Sequence, residues 1–207
     1  MKISEIQLET DRLAEVKRFY QTVLELPLIR ESRRSVVFAA GRSRLAFTEA
    51  SAGETPFYHF AFNIPENQLD DARTWLSARV PLLERDGEQV FHFESWDAHA
   101  IYFRDPVGNI VEFIARHTLG NASSEPFSAQ SLESISEIGV PVENVRLFAE
   151  HIKQEFGERL YDGDEVKFAA VGDAHGMFVV VPIGRPWFPT DIAAEYFPTV
   201  VDVADGK

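Results

Sequence analysis

Chemistry in this chain has to come from His, Glu, Asp, Tyr, Ser and Lys, because none of its 207 residues is cysteine. Thiolate nucleophiles, thiolate metal sites and disulfides are thereby excluded. The most pointed residue is Glu112. In a strand over Ile110 to Ile114 it shares a face with Ile110 and Ile114, while Val111 and Phe113 point the other way. A carboxylate centred in so apolar a strand needs a partner, since an isolated buried charge costs several kcal/mol. The turn DPVGN at 105–109 pairs Arg104 with Ile110 and so sets Tyr102 directly across from Glu112, where its hydroxyl can donate to the carboxylate or reach a substrate. On the strand Tyr58 to Ile64, His59 shares its face with Ala61 and Asn63, small or polar neighbours that leave room for a ligand. Five arginines, Arg30, Arg33, Arg34, Arg42 and Arg44, form a basic cluster. They either ring one rim and hold a carboxylate or phosphate, or are solvated charges that discourage edge pairing. His117, His151 and His175 fall in connecting or helical positions and read as solvated. No phosphate-cradling glycine loop, HExxH or GxSxG is present.

The elements that must position these residues repeat. A strand over ISEIQLET at 3–10 is followed by a helical stripe of Leu13, Val16, Phe19, Tyr20 and Val23. Short strands at 26–30, 35–39 and 44–48 follow, with Gly41 in the last turn. The same β-α-β-β-β order restarts at Tyr58, with a helix over 67–80 and strands at 82–85, 89–94, 99–104 and 110–114. A third start appears at Ile135, where ISEIGVPV nearly restates the opening. Its helix carries Val145, Phe148, Ile152 and Phe156, and strands follow at 168–171 and 177–181. One such unit cannot bury its own apolar face, so siblings must pack together. The fold class expected is α+β: repeated β-α-β-β-β units, two of them forming a cup-shaped site, plus a related third unit. The Ser/Asn/Gly/Pro-rich run at 117–131 marks the connection. The expected division is a paired domain at 1–118, a linker at 119–134 and a third unit with a tail at 135–207. That third unit either caps the first pair or meets its counterpart in a homodimer.

Composition sets the partners. The chain is 45% hydrophobic and 26% charged, as expected of a globular protein. Its 20 basic and 33 acidic side chains give a net charge of −13, which argues against nucleic acid and anionic membrane and leaves a small molecule as the expected partner. With no basic leader and no long apolar span at its start, the sequence predicts a cytoplasmic protein.

HAIYFRDPVGNIVEFIAR at 99–116, HFAFNIP at 59–65 and RFYQTVLELPL at 18–28 resemble the vicinal oxygen chelate superfamily, which includes glyoxalase I, fosfomycin-resistance thiol transferases, bleomycin-binding proteins and extradiol dioxygenases. The resemblance covers residues 1 to about 116. It implies paired units whose sheets curl around a divalent metal, with ligands from the first and last strand of each. Carried over residue by residue, the ligands are Glu5, His59 and Glu112, while the remaining position falls on Ala46, which cannot coordinate. In the third unit the equivalents are Glu137 and Val180, so no further metal is expected there. Oxygen and imidazole donors suit Fe, Mn, Ni, Zn or Mg. Three ligands are similar to the dioxygenases and thiol transferases rather than to glyoxalase I, which uses four. The extradiol pattern also implies a catalytic role for Tyr102 and for an upstream histidine, His92 or His99. Gln7, Asn63 and His99 are the expected substrate contacts.

Two readings follow. In the first, a metalloenzyme of the glyoxalase/dioxygenase type acts on vicinal oxygens as a lyase, isomerase or ring-cleaving dioxygenase. In the second, a metal-free protein binds a small molecule or antibiotic, as the replaced and lost ligands at Glu5 and Ala46 would allow.

Overall fold

The computed structural model describes residues 1–204 as two β-sheets with three α-helices. The first unit contributes β1 (Lys2–Thr10), α1 (Leu13–Arg18), β2 (Leu28–Ser32), β3 (Ser35–Ala40) and β4 (Ser43–Glu49). α1 continues into a π-helical turn, Phe19–Val23, which buries Phe19 and Tyr20. The second unit contributes β5 (His59–Ile64), α2 (Leu69–Ser77), β6 (Phe91–Phe93), β7 (Ala98–Arg104) and β8 (Ile110–Arg116). The strand expected at 82–85 is reduced to isolated bridges at Leu82 and Arg85. The third unit contributes β9 (Ser134–Val142), α3 (Val145–Phe156), β10 (Leu160–Gly163), β11 (Ala169–Asp173) and β12 (Gly176–Pro182), and a last strand, β13 (Val200–Ala204), follows.

The pairing of units differs from the sequence expectation. One eight-stranded sheet runs β10-β11-β12-β9-β5-β8-β7-β6, so the second and third units share the cup. The join is antiparallel pairing of β5 with β9. The first unit forms a separate sheet, β13-β1-β4-β3-β2, in which the chain end takes the edge beside β1. The unit left over is therefore the first, not the third. The near-identity of ISEIQLET and ISEIGVPV explains the ambiguity: either opening strand has the alternation needed to pair with β5.

Alternation along the large sheet gives its two faces different jobs. Phe60, Phe62, Phe103, Val111, Phe113, Ile138 and Val180 face the main core, which includes residues of α2 and α3. Ala61, Ala98, Ala100 and Ala170 lie on the opposite face, where small side chains leave the cup open. The segment after β12 then folds back, burying Trp187 and Ala194 against this face.

The first sheet is clamped to the start of β9. The Ser43 hydroxyl donates to the Ile3 carbonyl (2.6 Å) and accepts from the Ile135 amide (2.9 Å), and the Arg42 amide donates to the Glu133 carbonyl (2.7 Å). Gly41 stands in this turn at φ 55°, where a Cβ would lie 2.0 Å from the Glu133 carbonyl oxygen. Only glycine fits.

The DPVGN turn is a second clamp. Asp105 accepts from the amides of Val107 (3.0 Å) and Asn109 (2.9 Å), from the Asn109 side chain (2.7 Å) and from the Tyr20 hydroxyl (2.8 Å). Asn109 in turn accepts from the Tyr58 amide (2.8 Å). One buried carboxylate thus ties the first unit to the β7–β8 hairpin and fixes the entry to β5. We predict that Asp105→Ala loses about 3–5 kcal/mol in urea unfolding, because it strands several buried donors, and that Tyr20→Phe loses about 1–2 kcal/mol. Equal losses for the two variants would contradict this network.

Candidate metal centre

Three adjacent strands, β8, β5 and β9, build the candidate site. Ala61 on the middle strand is paired with Glu112 on one side and Glu137 on the other. Because Ala61 carries only a methyl group, the two carboxylates can reach over it toward each other and toward His59, two residues earlier on the same face. One donor atom from each of His59, Glu112 and Glu137 lies within 4.8 Å of the others, and all three side chains are buried. His59 Nδ1 is 3.1 Å from the Ile110 carbonyl oxygen, so that nitrogen carries the proton and donates. The lone pair of Nε2 is left facing Glu112, 3.7 Å away. Such a backbone contact on the far ring nitrogen fixes the orientation a metal-binding imidazole needs.

The two acids share one cation. Arg116, on the same face of β8 and fully buried, ion-pairs with Glu137, and its guanidinium lies 5.1 Å from the Trp96 ring centroid. Glu112 has no cation of its own among the described residues. Burial pushes its carboxyl well above the usual range, and the neighbouring Glu137 pushes it further, against the pull of Arg116 and Tyr102. Burial also raises Glu137, opposed by Arg116. Burial lowers His59 to about 4, opposed by the Ile110 carbonyl and aided by the charge of Arg185. Tyr102 is held well above the ordinary phenol value by burial and then by the charge of Glu112, so it keeps its proton. One neutral imidazole and two buried acids that share the single cation Arg116 are a donor set that fits a divalent ion.

The site opens into a cavity of about 270 Å³ walled by Phe93, Trp96, Phe168, Trp187 and Phe188, with Arg185 and Asp162 also on its lining. The Trp187 ring sits 5.1 Å from the His59 ring. Gly139 makes this approach possible: a Cβ there would be 2.5 Å from Trp187 Cη2. A larger hollow of about 430 Å³, bordered by α3 and the returning chain, shares His59 and Trp187 with the first.

The structure brings together His59, Glu112 and Tyr102 of the residues singled out from sequence. Tyr102 pairs directly with Glu112 across the β7–β8 ladder. Glu5 lies in the other sheet, bound to Arg44, and Glu137 occupies the corresponding place in the cup. The third unit, through Glu137, thus supplies the acid that stands beside His59 and Glu112 in place of Glu5. Gln7 is on the same separate strand as Glu5, paired with Ala46 and Val200. Asn63 is buried with its amide donating to the Ala174 carbonyl (3.1 Å), away from the cavity lining. His92 and His99 point out of the cup, because Phe91, Phe93, Ala98 and Ala100 take the inward positions. Their rings stack at 4.3 Å, and His99 bonds to His117 (2.9 Å). Arg34 and Arg44 pair with Glu49 and Glu5 at exposed positions. Val180 faces the main core, and Val179 lines the cavity. Arg116, Arg185 and Trp187 were not anticipated. For Arg116 the signal was the i, i+2, i+4 face shared with Ile110, Glu112 and Ile114.

The Glyoxalase/Bleomycin resistance protein/Dioxygenase superfamily model matches residues 2–113, more than half of the chain. The chain belongs to that superfamily. Among solved structures, a putative dioxygenase from Bacillus subtilis is 18% identical with a TM-score of 0.64, the alignment covering 89% of this chain and 65% of that one. The present chain thus spans less than two thirds of that protein. Lactoylglutathione lyase from Agrobacterium tumefaciens is 25% identical (TM-score 0.45, covering 54% of this chain and 90% of that chain). The fosfomycin resistance protein FosX from Listeria monocytogenes, solved with Mn(II) and sulfate, is 19% identical (TM-score 0.43, covering 57% and 91%). No curated protein matches the sequence. No helix among the described residues is long and apolar enough to cross a membrane.

The His59 shift has a defined sign. Between its ordinary value of 6.5 and about 4, the unfolded chain takes up a proton that the folded chain refuses. Stability of the chelator-treated protein is therefore lost as the pH falls through that window, by about 3 kcal/mol from this residue. We predict that subtracting the His59→Gln profile from the wild-type profile, by denaturant titration at pH 4 to 7, isolates that slope. A difference independent of pH would contradict it.

Proposed function

We propose that this chain is a metal-dependent enzyme of the glyoxalase/dioxygenase type, acting on a small molecule with two neighbouring oxygens. The observation that carries the reading is the buried His59, Glu112 and Glu137 cluster, whose donor atoms converge within 4.8 Å and which opens on an aromatic cavity. Those three side chains would hold a divalent ion. When bound, it supplies Lewis-acid stabilisation to developing charge on the substrate oxygens, the start shared by lyase, isomerase and ring-cleaving dioxygenase chemistry.

The chain's own residues then have distinct work. The Ile110 carbonyl keeps the His59 Nε2 lone pair aimed inward. Tyr102 holds a proton at its hydroxyl beside Glu112 and can donate it to a substrate oxygen or orient that oxygen. Arg116 neutralises Glu137 and fixes its direction. Trp187, Phe188 and Phe93 exclude water from the oxygens. The functional unit is the second and third repeats together, with the first as their support.

A second reading, the metal-free small-molecule binder, is favoured by one observation: Arg116 already satisfies Glu137 without an ion. Metal content of the purified protein, before and after Mn(II) loading, separates the two. The enzyme reading expects about one ion per chain, with each of His59→Ala, Glu112→Gln and Glu137→Gln losing it. No binding after loading, or full binding by His59→Ala, would overturn it in favour of the binder.

A further inference from the structure

Arg185 is a cation on the wall of the metal-site cavity. This residue follows β12 on the segment that folds back over the cup, and it lines the same cavity as His59, Glu112 and Glu137. Its backbone is braced: its amide donates to the Pro182 carbonyl (3.1 Å), and its carbonyl accepts from the Ala194 amide (2.8 Å). The side chain is half-buried, with its guanidinium 5.2 Å from the Phe168 ring centroid. It makes no ion pair within 4.0 Å and no side-chain hydrogen bond with any described residue.

Two acids stand near it, and each bonds to other partners without pairing with the guanidinium. Asp164 accepts from the amides of Val166 (2.9 Å), Lys167 (2.7 Å) and Phe168 (3.2 Å). Asp162 accepts from Trp96 Nε1 (2.6 Å), from the Ser95 hydroxyl (3.3 Å) and from the Gly163 amide (2.7 Å). A guanidinium that stacks on an aromatic face and keeps its planar fork of donors free is suited to a carboxylate or another oxyanion. The cavity that the guanidinium and the His59–Glu112–Glu137 cluster both line has aromatic walls, Trp96, Phe168, Trp187 and Phe188 among them, suited to a flat apolar body.

We propose that Arg185 is the specificity-determining residue of this site. It selects a small aromatic acid whose anionic group it holds while the two neighbouring oxygens lie at His59, Glu112 and Glu137. This rests on the metalloenzyme reading for the placement of the oxygens, but not for the anion contact.

The test is calorimetric titration of Mn(II)-loaded protein with 3,4-dihydroxybenzoate and with 4-methylcatechol, which keeps the adjacent oxygens and replaces the carboxylate with a neutral methyl. Wild type should bind the acid at least tenfold more tightly. Arg185→Met should abolish that preference while leaving 4-methylcatechol affinity within about threefold and metal content unchanged, and Arg185→Lys should restore part of the preference. Equal binding of the two compounds by wild type, no binding of either, or a preference that survives in Arg185→Met would overturn the proposal. Metal content reports separately on the underlying reading. If the protein takes up no ion, the same pair is titrated on metal-free protein. A preference for the acid that depends on Arg185 then upholds the anion site even as the metalloenzyme reading fails, and its absence ends both.

Discussion

Two carboxylates placed side by side inside a β-sheet are the constraint on which the rest of this structure depends. Glu112 and Glu137 flank the methyl group of Ala61, both are buried, and only one has a cation of its own. A folded chain keeps such an arrangement at a cost in stability, since burial disfavours each charge and proximity disfavours the pair. Everything around them limits that cost. Arg116 lies buried against Glu137, His59 stays neutral, and Tyr102 presents a hydroxyl that keeps its proton. The arrangement has the donors and the convergence of a socket that could hold a metal ion.

The rest of the molecule holds that socket in shape. The first unit does not share the cup, yet it reaches it through two clamps. Ser43 and Gly41 lock the first sheet to the start of β9, the strand that carries Glu137. Tyr20 reaches Asp105 in the turn that aligns Tyr102 with Glu112 and admits the chain into β5 at His59. The returning segment completes the enclosure by placing Trp187 against His59, a contact that the missing side chain of Gly139 permits.

Local physics was legible in the sequence to a useful degree. Alternation along 110–114 put Glu112 on the face it shares with Ile110 and Ile114, the DPVGN turn set the register that places Tyr102 opposite it, and His59 fell among small neighbours. Which units share the cup was not legible, because ISEIQLET and ISEIGVPV are nearly the same strand and alternation cannot choose a partner. That one ambiguity moved the third acid from Glu137 to Glu5 and left the wrong unit over. His92 and His99 were misplaced for a smaller reason: in the hairpin of β6 and β7 the aromatic and alanine residues take the inward positions and turn both histidines out. Arg185 and Trp187 come from an irregular segment whose path is set by tertiary contacts rather than periodicity.

The central claim is that the second and third units, not the first and second, build one metal socket. The most direct test is anomalous scattering from crystals of the protein soaked in Mn(II). The account predicts one strong peak per chain, within bonding distance of His59, Glu112 and Glu137. A peak on the first sheet beside Glu5, or none in this cup, would contradict it.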